Sequence, residues 1–294
     1  MNKQSAALLS IFSNTFLIIF KVVAGLFMGS ISVLSEAIHS SLDLVASVIA
    51  YISIKQSLKP KDSEHPYGHG KFENVSGFVE ALLIFIAAGI IIFEAGKKIF
   101  SGVIVDNIGA GIVVMLLSAI VNFVISMILF KISKREESIA LEADAMHLLT
   151  DVFTSLGVCV GLGLLKLTGI QIIDPIVAIL VALMIIKASI DLTKKSLIDL
   201  VDTSLPRDEI DVIESLISSN PDIKSHHNLR TRKSGITREI DFHINVDPKL
   251  SIVDAHTISH DIKKSIEDIL PHSNIVVHIE PTNNNSNNFY IDLG

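Results

Sequence analysis

Residues 32–54 read SVLSEAIHSSLDLVASVIAYISI, an apolar run that nevertheless contains Glu36, His39 and Asp43. A helix crosses the hydrocarbon core of a bilayer with about 20 largely apolar residues, so this run is long enough to span a membrane. Ionisable side chains inside a membrane are costly and usually mark pairing or function. The run therefore predicts a transmembrane helix with a polar, functional face.

Five further runs meet the same standard, which predicts an α-helical membrane domain of six transmembrane helices. The six predicted spans are residues 7–28, 32–54, 76–96, 108–130, 139–165 and 172–190. The first is expected to be a retained span because no small-residue cleavage pattern follows it. Lys and Arg are concentrated in the flanks that share a side with the N-terminus, which predicts a multi-pass protein of the cell (inner or plasma) membrane with cytoplasmic N- and C-termini.

Composition excludes a purely soluble enzyme and a nucleic-acid-binding protein. Hydrophobic residues make up 49% of the 294-residue chain and charged residues only 19%, against about 25% charged in a typical soluble domain. The first 200 residues carry 15 Lys+Arg and 16 Asp+Glu, and the rest carry 9 and 15. Because neither part is basic, nucleic acid is not an expected partner.

The single cysteine, Cys159, excludes an intramolecular disulfide and is interpreted as a core residue.

After residue 204 the pattern changes to short amphipathic segments, which predict a small soluble domain over residues 205–281. A helix over 206–218, strands over 223–232 and 236–246, a helix after Ser251 and a strand over 274–280 give the order α-β-β-α-β. This is a small α/β, metallochaperone or ferredoxin-like arrangement. The tail over 282–294 is rich in asparagine and is expected to be disordered.

At the sixth span, Asp174 is predicted to be the N-cap residue before Pro175.

Two matched pairs suggest a metal site in the membrane. His39 and Asp43 lie four residues apart in the second span, and His147 and Asp151 repeat that spacing in the fifth. Residues four apart share one helix face, and both pairs lie near the membrane midplane. Two imidazoles and two carboxylates suit Zn²⁺, Cd²⁺ or Co²⁺, and Mn²⁺ or Fe²⁺ less well. The alternative is that the pairs only join helices through hydrogen bonds.

The matched pairs, the sequence HPYGHGKFE at 65–73 and the sequence LRTRKSG at 229–235 together resemble the cation diffusion facilitator family, a zinc-exporter-like family of divalent metal cation transporters. The resemblance covers roughly residues 7–281 and implies a homodimer that exports a metal ion from the cytoplasm in exchange for protons. It implies a transport site at His39, Asp43, His147 and Asp151, a loop site at Asp62, His65 and His69, and a regulatory cytoplasmic-domain site at His227, His243, His256, His278 and Glu280. Histidine at the first position favours Zn²⁺ as the transported and regulatory ion.

Other interpretations of these residues stay open. The loop histidines could be a solvated polar loop, and any one histidine of the soluble domain could be a surface residue. Lys21 and Glu80 could form a neutralising pair, a solvated pore wall or a functional site. The same fold could carry Mn²⁺ or Fe²⁺, or act as a membrane metal sensor that moves no ions. An intramembrane metallohydrolase, and with it any enzyme, is disfavoured because the sequence contains no His-Glu-x-x-His motif.

Overall fold

The computed structural model describes residues 1–28, 31–101, 109–170 and 172–282. Within its helices, the side chains of residues 28, 31, 32, 35, 39, 101, 109–111, 162, 165 and 166 lie outside that description. The chain divides into two compact units, the first of which is Met1–Val201 and the second of which begins at Asp202. The tail predicted to be disordered falls outside the described residues from 283 onward.

The first unit contains the six predicted helices. They are α1 (Lys3–Met28), α2 (Ile31–Ser57), α3 (Lys71–Ser101), α4 (Gly109–Arg135), α5 (Ile139–Thr168) and α6 (Ile173–Ile198). All six contain a stretch long and apolar enough to cross a membrane. Most run several residues past the predicted apolar spans, since a helix continues into polar sequence until its backbone is capped or turned.

Small residues lie where the helices of this unit pack against one another. Ala6, Ala7 and Ala140 are fully buried in one cluster, and Ala81, Ala88, Ala143 and Ala182 are fully buried in another. Helices in lipid associate through close van der Waals packing, which small side chains permit. The most extensive pairings are α3 with α6, α1 with α2 and α4 with α5.

The predicted cap of α6 is wrong. Ile172 is the N-cap residue, and Asp174 lies inside the first turn of the helix. Its carboxylate pairs instead with Lys98 of α3, with Lys98 Nζ 2.5 Å from Asp174 Oδ2. A buried carboxylate near a helix N-terminus gains from the helix dipole and from a cation, and here the ion pair replaces the side-chain cap.

The second unit is the predicted small α/β domain. Its elements are α7 (Arg207–Ser219), β1 (Ser225–Ser234), β2 (Thr237–Val246), α8 (Ile252–Ile269) and β3 (Ser273–Pro281). The sheet order is β1-β2-β3, with β2 antiparallel to β1 and parallel to β3. The Ser251 side chain caps α8, the helix predicted after this residue, by accepting from the Asp254 backbone N–H.

One face of the central strand forms the core of this domain. Ile240, Phe242, Ile244 and Val246 are buried and pack with apolar residues of α7 and α8. The alternate residues of β2, His243 among them, lie on the other face. The hairpin turn consists of Gly235 and Ile236, whereas the predicted strands place it at residues 233–235, so Ile236 does not belong to the strand. Gly235 has φ +63°, a conformation that glycine adopts without strain.

Candidate metal centres

In the first unit, a carboxylate of α2 meets an imidazole and a carboxylate of α5. Asp43, His147 and Asp151 each offer a ligand atom, and these atoms lie within 4.8 Å of one another. His147 Nε2 is 3.1 Å from Asp43 Oδ1. Within the described chain, His147 Nδ1 is buried and has no hydrogen-bond partner. Three donors that converge in the interior of an apolar bundle can hold a divalent cation.

His39, the fourth residue predicted for this site, lies on α2, one helical turn from Asp43. Its side chain falls outside the described residues. The structure therefore brings together three of the four predicted ligands, and the place of the His39 imidazole stays a prediction.

Polar side chains from neighbouring helices surround the three converging residues. Asn14 of α1 donates from Nδ2 to the Ser47 hydroxyl at 2.7 Å and to the Asp43 carbonyl at 3.4 Å. Asn122 of α4 lies 3.5 Å from Asp151 Oδ2. Partners of this kind orient ligand side chains. Sequence reasoning missed Asn14, Ser47 and Asn122, although an amide within an apolar span is a signal that could have found two of them.

Lys21 and Glu80 do not pair with each other. Lys21 Nζ lies 3.2 Å from Glu36 Oε1 and donates to the Ser40 hydroxyl at 2.6 Å. Glu80 of α3 is fully buried and accepts from the Ser76 hydroxyl at 3.3 Å. Lys21 therefore forms a neutralising pair with Glu36. Glu80 is not part of that pair, and its burial needs a separate explanation.

The loop between α2 and α3 brings together Asp62, His65 and His69. Their ligand atoms lie within 4.8 Å of one another, and the two imidazole rings are 4.4 Å apart. The Asp62 carboxylate accepts from the backbone N–H of His65 at 2.7 Å and of Glu64 at 3.0 Å. The hydrogen bond from the His65 backbone lowers the pKa of the Asp62 carboxyl, which keeps it ionised as a cation ligand requires.

A third cluster lies on the open face of the sheet in the second unit. The strand register places His227 of β1, His243 of β2 and His278 of β3 side by side. His243 Nδ1 is 3.0 Å from Glu280 Oε1, and His227 Nε2 is 3.5 Å from Glu280 Oε2. His278 Nε2 lies 3.6 Å from the same carboxylate. One carboxylate and three imidazoles thus meet on one face of the sheet.

His256 does not meet this cluster within one chain. It lies exposed on α8, whose buried side packs on the opposite face of the sheet. The sheet therefore separates His256 from the other four residues of the predicted cytoplasmic-domain site. The part of His256 in that site stays a prediction.

Six apolar helices around buried cation donors, followed by a small α/β domain, are features of a membrane transporter of divalent cations. The family model of the cation efflux transmembrane domain matches residues 7–201. A second family model, ZT_dimer, which describes the cytoplasmic domain of cation efflux proteins, matches residues 205–282.

The chain is also similar to individual known proteins. An uncharacterized transporter of Synechocystis sp. is 33% identical over 86% of this chain and 82% of its own length. The cation-efflux pump FieF of Serratia proteamaculans is 28% identical over 95% of this chain and 92% of its own length. The metal-bound C-terminal domain of the CzcD transporter from Thermotoga maritima is 29% identical over 26% of this chain and 88% of that one, with a TM-score of 0.25.

The chain therefore belongs to the cation diffusion facilitator family. It is a multi-pass membrane protein, and the family is one of cation efflux transporters rather than enzymes.

Proposed function

We propose that this chain exports Zn²⁺ from the cytoplasm and exchanges it for protons at His39, Asp43, His147 and Asp151. The observation that carries the proposal is the convergence of Asp43, His147 and Asp151 within 4.8 Å inside the helical bundle. Nitrogen and oxygen donors in a small set suit tetrahedral Zn²⁺. The buried, unpartnered Nδ1 of His147 adds a donor that a cation or a proton can occupy.

Exchange for protons follows from the chemistry of these ligands. A carboxylate binds a metal only when ionised, and an imidazole binds through a neutral nitrogen, so metal and protons compete for the same atoms. A rise in proton concentration on the far side of the membrane favours release of the metal. A change in the bundle that exposes the site to one side and then the other completes the transport cycle.

Flux measurements in proteoliposomes test this proposal. Asp43→Ala removes a ligand and is expected to abolish zinc-dependent proton flux. Asp191→Asn is the control because Asp191 is an exposed acid of α6 that does not belong to the group of converging ligands. Unchanged flux in Asp43→Ala, or equal loss in both variants, would contradict the assignment of the site. Zinc binding without any flux in the wild-type protein would indicate a metal sensor instead.

The choice of zinc rests on the donor set and needs a test of its own. A site rich in oxygen would favour Mn²⁺ or Fe²⁺, whereas imidazole ligands favour Zn²⁺, Cd²⁺ and Co²⁺. Flux of each of these ions should therefore be measured in competition with zinc in one liposome preparation. Transport of Mn²⁺ or Fe²⁺ that excess zinc does not suppress would overturn zinc as the main substrate.

We also propose that the loop cluster and the sheet cluster bind Zn²⁺ from the cytoplasm and that the chain functions as a homodimer in the inner or plasma membrane. Both clusters combine imidazoles with one carboxylate, which is a zinc donor set. The name of the second family model marks its domain as a dimerisation domain. Orientation with both termini cytoplasmic is supported by the distribution of Lys and Arg in the sequence.

A further inference from the structure

Two acids beside the proposed transport site have no assigned role. Glu80 of α3 and Asp144 of α5 are both 0% exposed. Each has one oxygen that is satisfied, because Ser76 donates to Glu80 Oε1 and Ser47 donates to Asp144 Oδ1 at 2.8 Å. In the part of the chain that the structure describes, Glu80 Oε2 and Asp144 Oδ2 are buried and have no hydrogen-bond partner.

Among the described residues, no positively charged side chain is hydrogen-bonded to either acid. From α1 and α2 the neighbours are the hydroxyls of Ser10 and Ser47 and, farther off, the Asp43 carboxylate. From α5 the neighbour is His147, which interacts electrostatically with both acids.

Helices α4 and α6 present neutral groups near these acids. Ser126 of α4 donates to the Ala145 carbonyl, and Ser189 of α6 donates to the Ala81 carbonyl. The basic side chain Lys21 is engaged elsewhere, with Glu36 and Ser40.

Two carboxylates cannot both stay ionised in these surroundings at low cost. Burying an ionised carboxylate without a paired cation is strongly unfavourable, so the group takes a proton instead. Glu80 and Asp144 also repel each other when both are charged.

The position of the pair connects it to the transport site. Asp144 precedes His147 by three residues on α5, which is about 4.5 Å along the helix axis. A divalent cation at Asp43, His147 and Asp151 would therefore place two positive charges close to both acids. That charge favours the ionised form of each carboxyl group.

We propose that Glu80 and Asp144 together carry one proton in the metal-free protein and release it when a divalent cation binds at the transport site. In this step the O–H bond of one carboxyl group breaks, the electron pair stays on the oxygen and the proton leaves to water. The inference rests on the proposed transport function. It adds a proton to the exchange that is not carried by any of the metal ligands.

A second metal ion is the competing occupant of this pair. Among the described residues, groups of three or more His, Cys, Asp or Glu ligands occur at the three clusters above and not at Glu80 and Asp144. Two carboxylates and serine hydroxyls form a poor set for zinc, which favours the proton.

Calorimetry on the full-length protein in lipid nanodiscs tests the proposal. Zinc is titrated in buffers of different ionisation enthalpy, which gives the number of protons released for each zinc bound. The double variant Glu80→Gln with Asp144→Asn keeps the shapes of both side chains. It is expected to bind the same number of zinc ions as the wild type and to release about one proton fewer per chain. The control, Glu142→Gln, should release as many protons as the wild type because Glu142 pairs with the exposed Lys195.

Equal proton release from the double variant and the wild type overturns the proposal. If the double variant binds one zinc ion fewer per chain than the wild type, the proposal is also overturned, and Glu80 and Asp144 form a second metal site instead.

Infrared difference spectroscopy of the single variants keeps the test open if the double variant does not fold. The metal-free wild type should show the band of a protonated carboxyl group at neutral pH, and zinc should remove it. Glu80→Gln or Asp144→Asn should remove part of the intensity of that band, because Asp43 and Asp151 can also take protons in the metal-free protein. Absence of the band in the metal-free wild type overturns the carboxyl pair whether or not zinc is transported. Absence of zinc binding at Asp43 instead contradicts the transport site.

Discussion

Asp62 shows how one side chain can shape a loop and prepare it to bind a cation. Its carboxylate accepts two backbone hydrogen bonds, from His65 and Glu64, and these hold the loop in a tight turn. The His65 bond is the main cause of the lowered pKa of Asp62. Since the pKa is lower in the folded loop than its ordinary value of 3.8, the stabilisation is present above that value and is lost as the pH falls through the lower, folded value.

Two substitutions at Asp62 separate the charge from the turn. Asp62→Asn keeps an oxygen that can accept the two backbone hydrogen bonds but loses the negative charge, whereas Asp62→Ala loses both. We expect both variants to bind zinc at the loop at least about tenfold more weakly, and only Asp62→Ala to become more sensitive to protease within residues 58–70. Loop zinc affinity that is unchanged in Asp62→Asn, measured by calorimetry in a background of Asp43→Ala and His243→Ala, would contradict a metal role for Asp62.

Helix α3 lies close to side chains of α5 and α6 at Gly77, near its N-terminal end. A Cβ at Gly77 would lie 2.6 Å from Ile139 Cγ2 and 2.8 Å from Ser196 Oγ, so these side chains of α5 and α6 would have to shift. At Gly89 of the same helix a Cβ would meet nothing within 4 Å. The packing of α3 therefore depends on a small residue at one position and not at the other.

Alanine substitutions at these two glycines test that packing. Gly77→Ala is expected to destabilise the protein by about 1–3 kcal/mol because inserted atoms force the helices apart. Gly89→Ala should leave the melting temperature unchanged or raise it, since alanine is the better helix former. Thermal unfolding in detergent compares the two variants. It is followed by circular dichroism, because the chain contains no tryptophan for fluorescence. A lower melting temperature in Gly89→Ala than in Gly77→Ala would contradict the packing described.

The Glu73 carboxylate of α3 contacts residues at the ends of several other helices in the first unit. Its Oε1 lies 2.5 Å from Lys3 Nζ of α1 and accepts from the Ser57 hydroxyl of α2 at 2.6 Å. Its other oxygen accepts from the hydroxyl of Ser138, just before α5. Both charged side chains are buried. Removing one partner of a buried ion pair leaves the other charge without compensation.

The buried pair should matter more than an exposed one. Glu73→Gln is expected to cost about 3 kcal/mol of stability, because Lys3 remains buried without a counter-charge. The control removes the exposed pair of Glu142 with Lys195, and Lys195→Ala should cost less than about 1 kcal/mol. The unfolding midpoints of Glu73→Gln and Lys195→Ala, measured under one set of conditions, compare the stability contributions of the two ion pairs. Equal midpoints would contradict the role assigned to Glu73.

The whole molecule separates its charges between two compact units. The first 200 residues are nearly neutral, with 15 basic and 16 acidic residues, and the remaining residues carry a net charge of −6 because 9 basic residues face 15 acidic ones. Three clusters of cation donors are distributed over both units. Under the proposed function, zinc that binds the second unit changes the activity of the first by favouring one arrangement of the dimer.

Loss of the sheet cluster should uncouple zinc from the arrangement of the dimer. In the combined variant His243→Ala with His278→Ala, we expect zinc to leave the distance between the two second units unchanged while the transport site still fills. A spin label on Lys249→Cys, in a Cys159→Ser background, reports that distance by pulsed electron paramagnetic resonance. His260→Ala, an exposed histidine of α8, is the control and should respond to zinc as the wild type does. A zinc-dependent distance change that persists in the combined variant would contradict a regulatory site there.

Individual residues show where prediction from sequence stopped. The His-x-x-x-Asp spacing predicted a shared helix face, and the structure brings Asp43, His147 and Asp151 together. The predicted cap at Asp174 was wrong because its partner, Lys98, lies 76 residues away in the chain. The hairpin turn was predicted at residues 233–235 and lies at Gly235 and Ile236. Several small and polar residues follow one another there, and local sequence does not choose among them.

The sequence alone determined the six spans, the small α/β domain and the spacing of the paired ligands, because helical and strand periodicity and apolar length are local properties. Only the tertiary structure decided which polar residues of different helices meet. The links from Asn14 to Ser47 and from Ser47 to Asp144, and the burial of Glu80, depend on how the helices pack. Packing couples residues that are far apart in the chain, and that coupling is not contained in the spacing of neighbours.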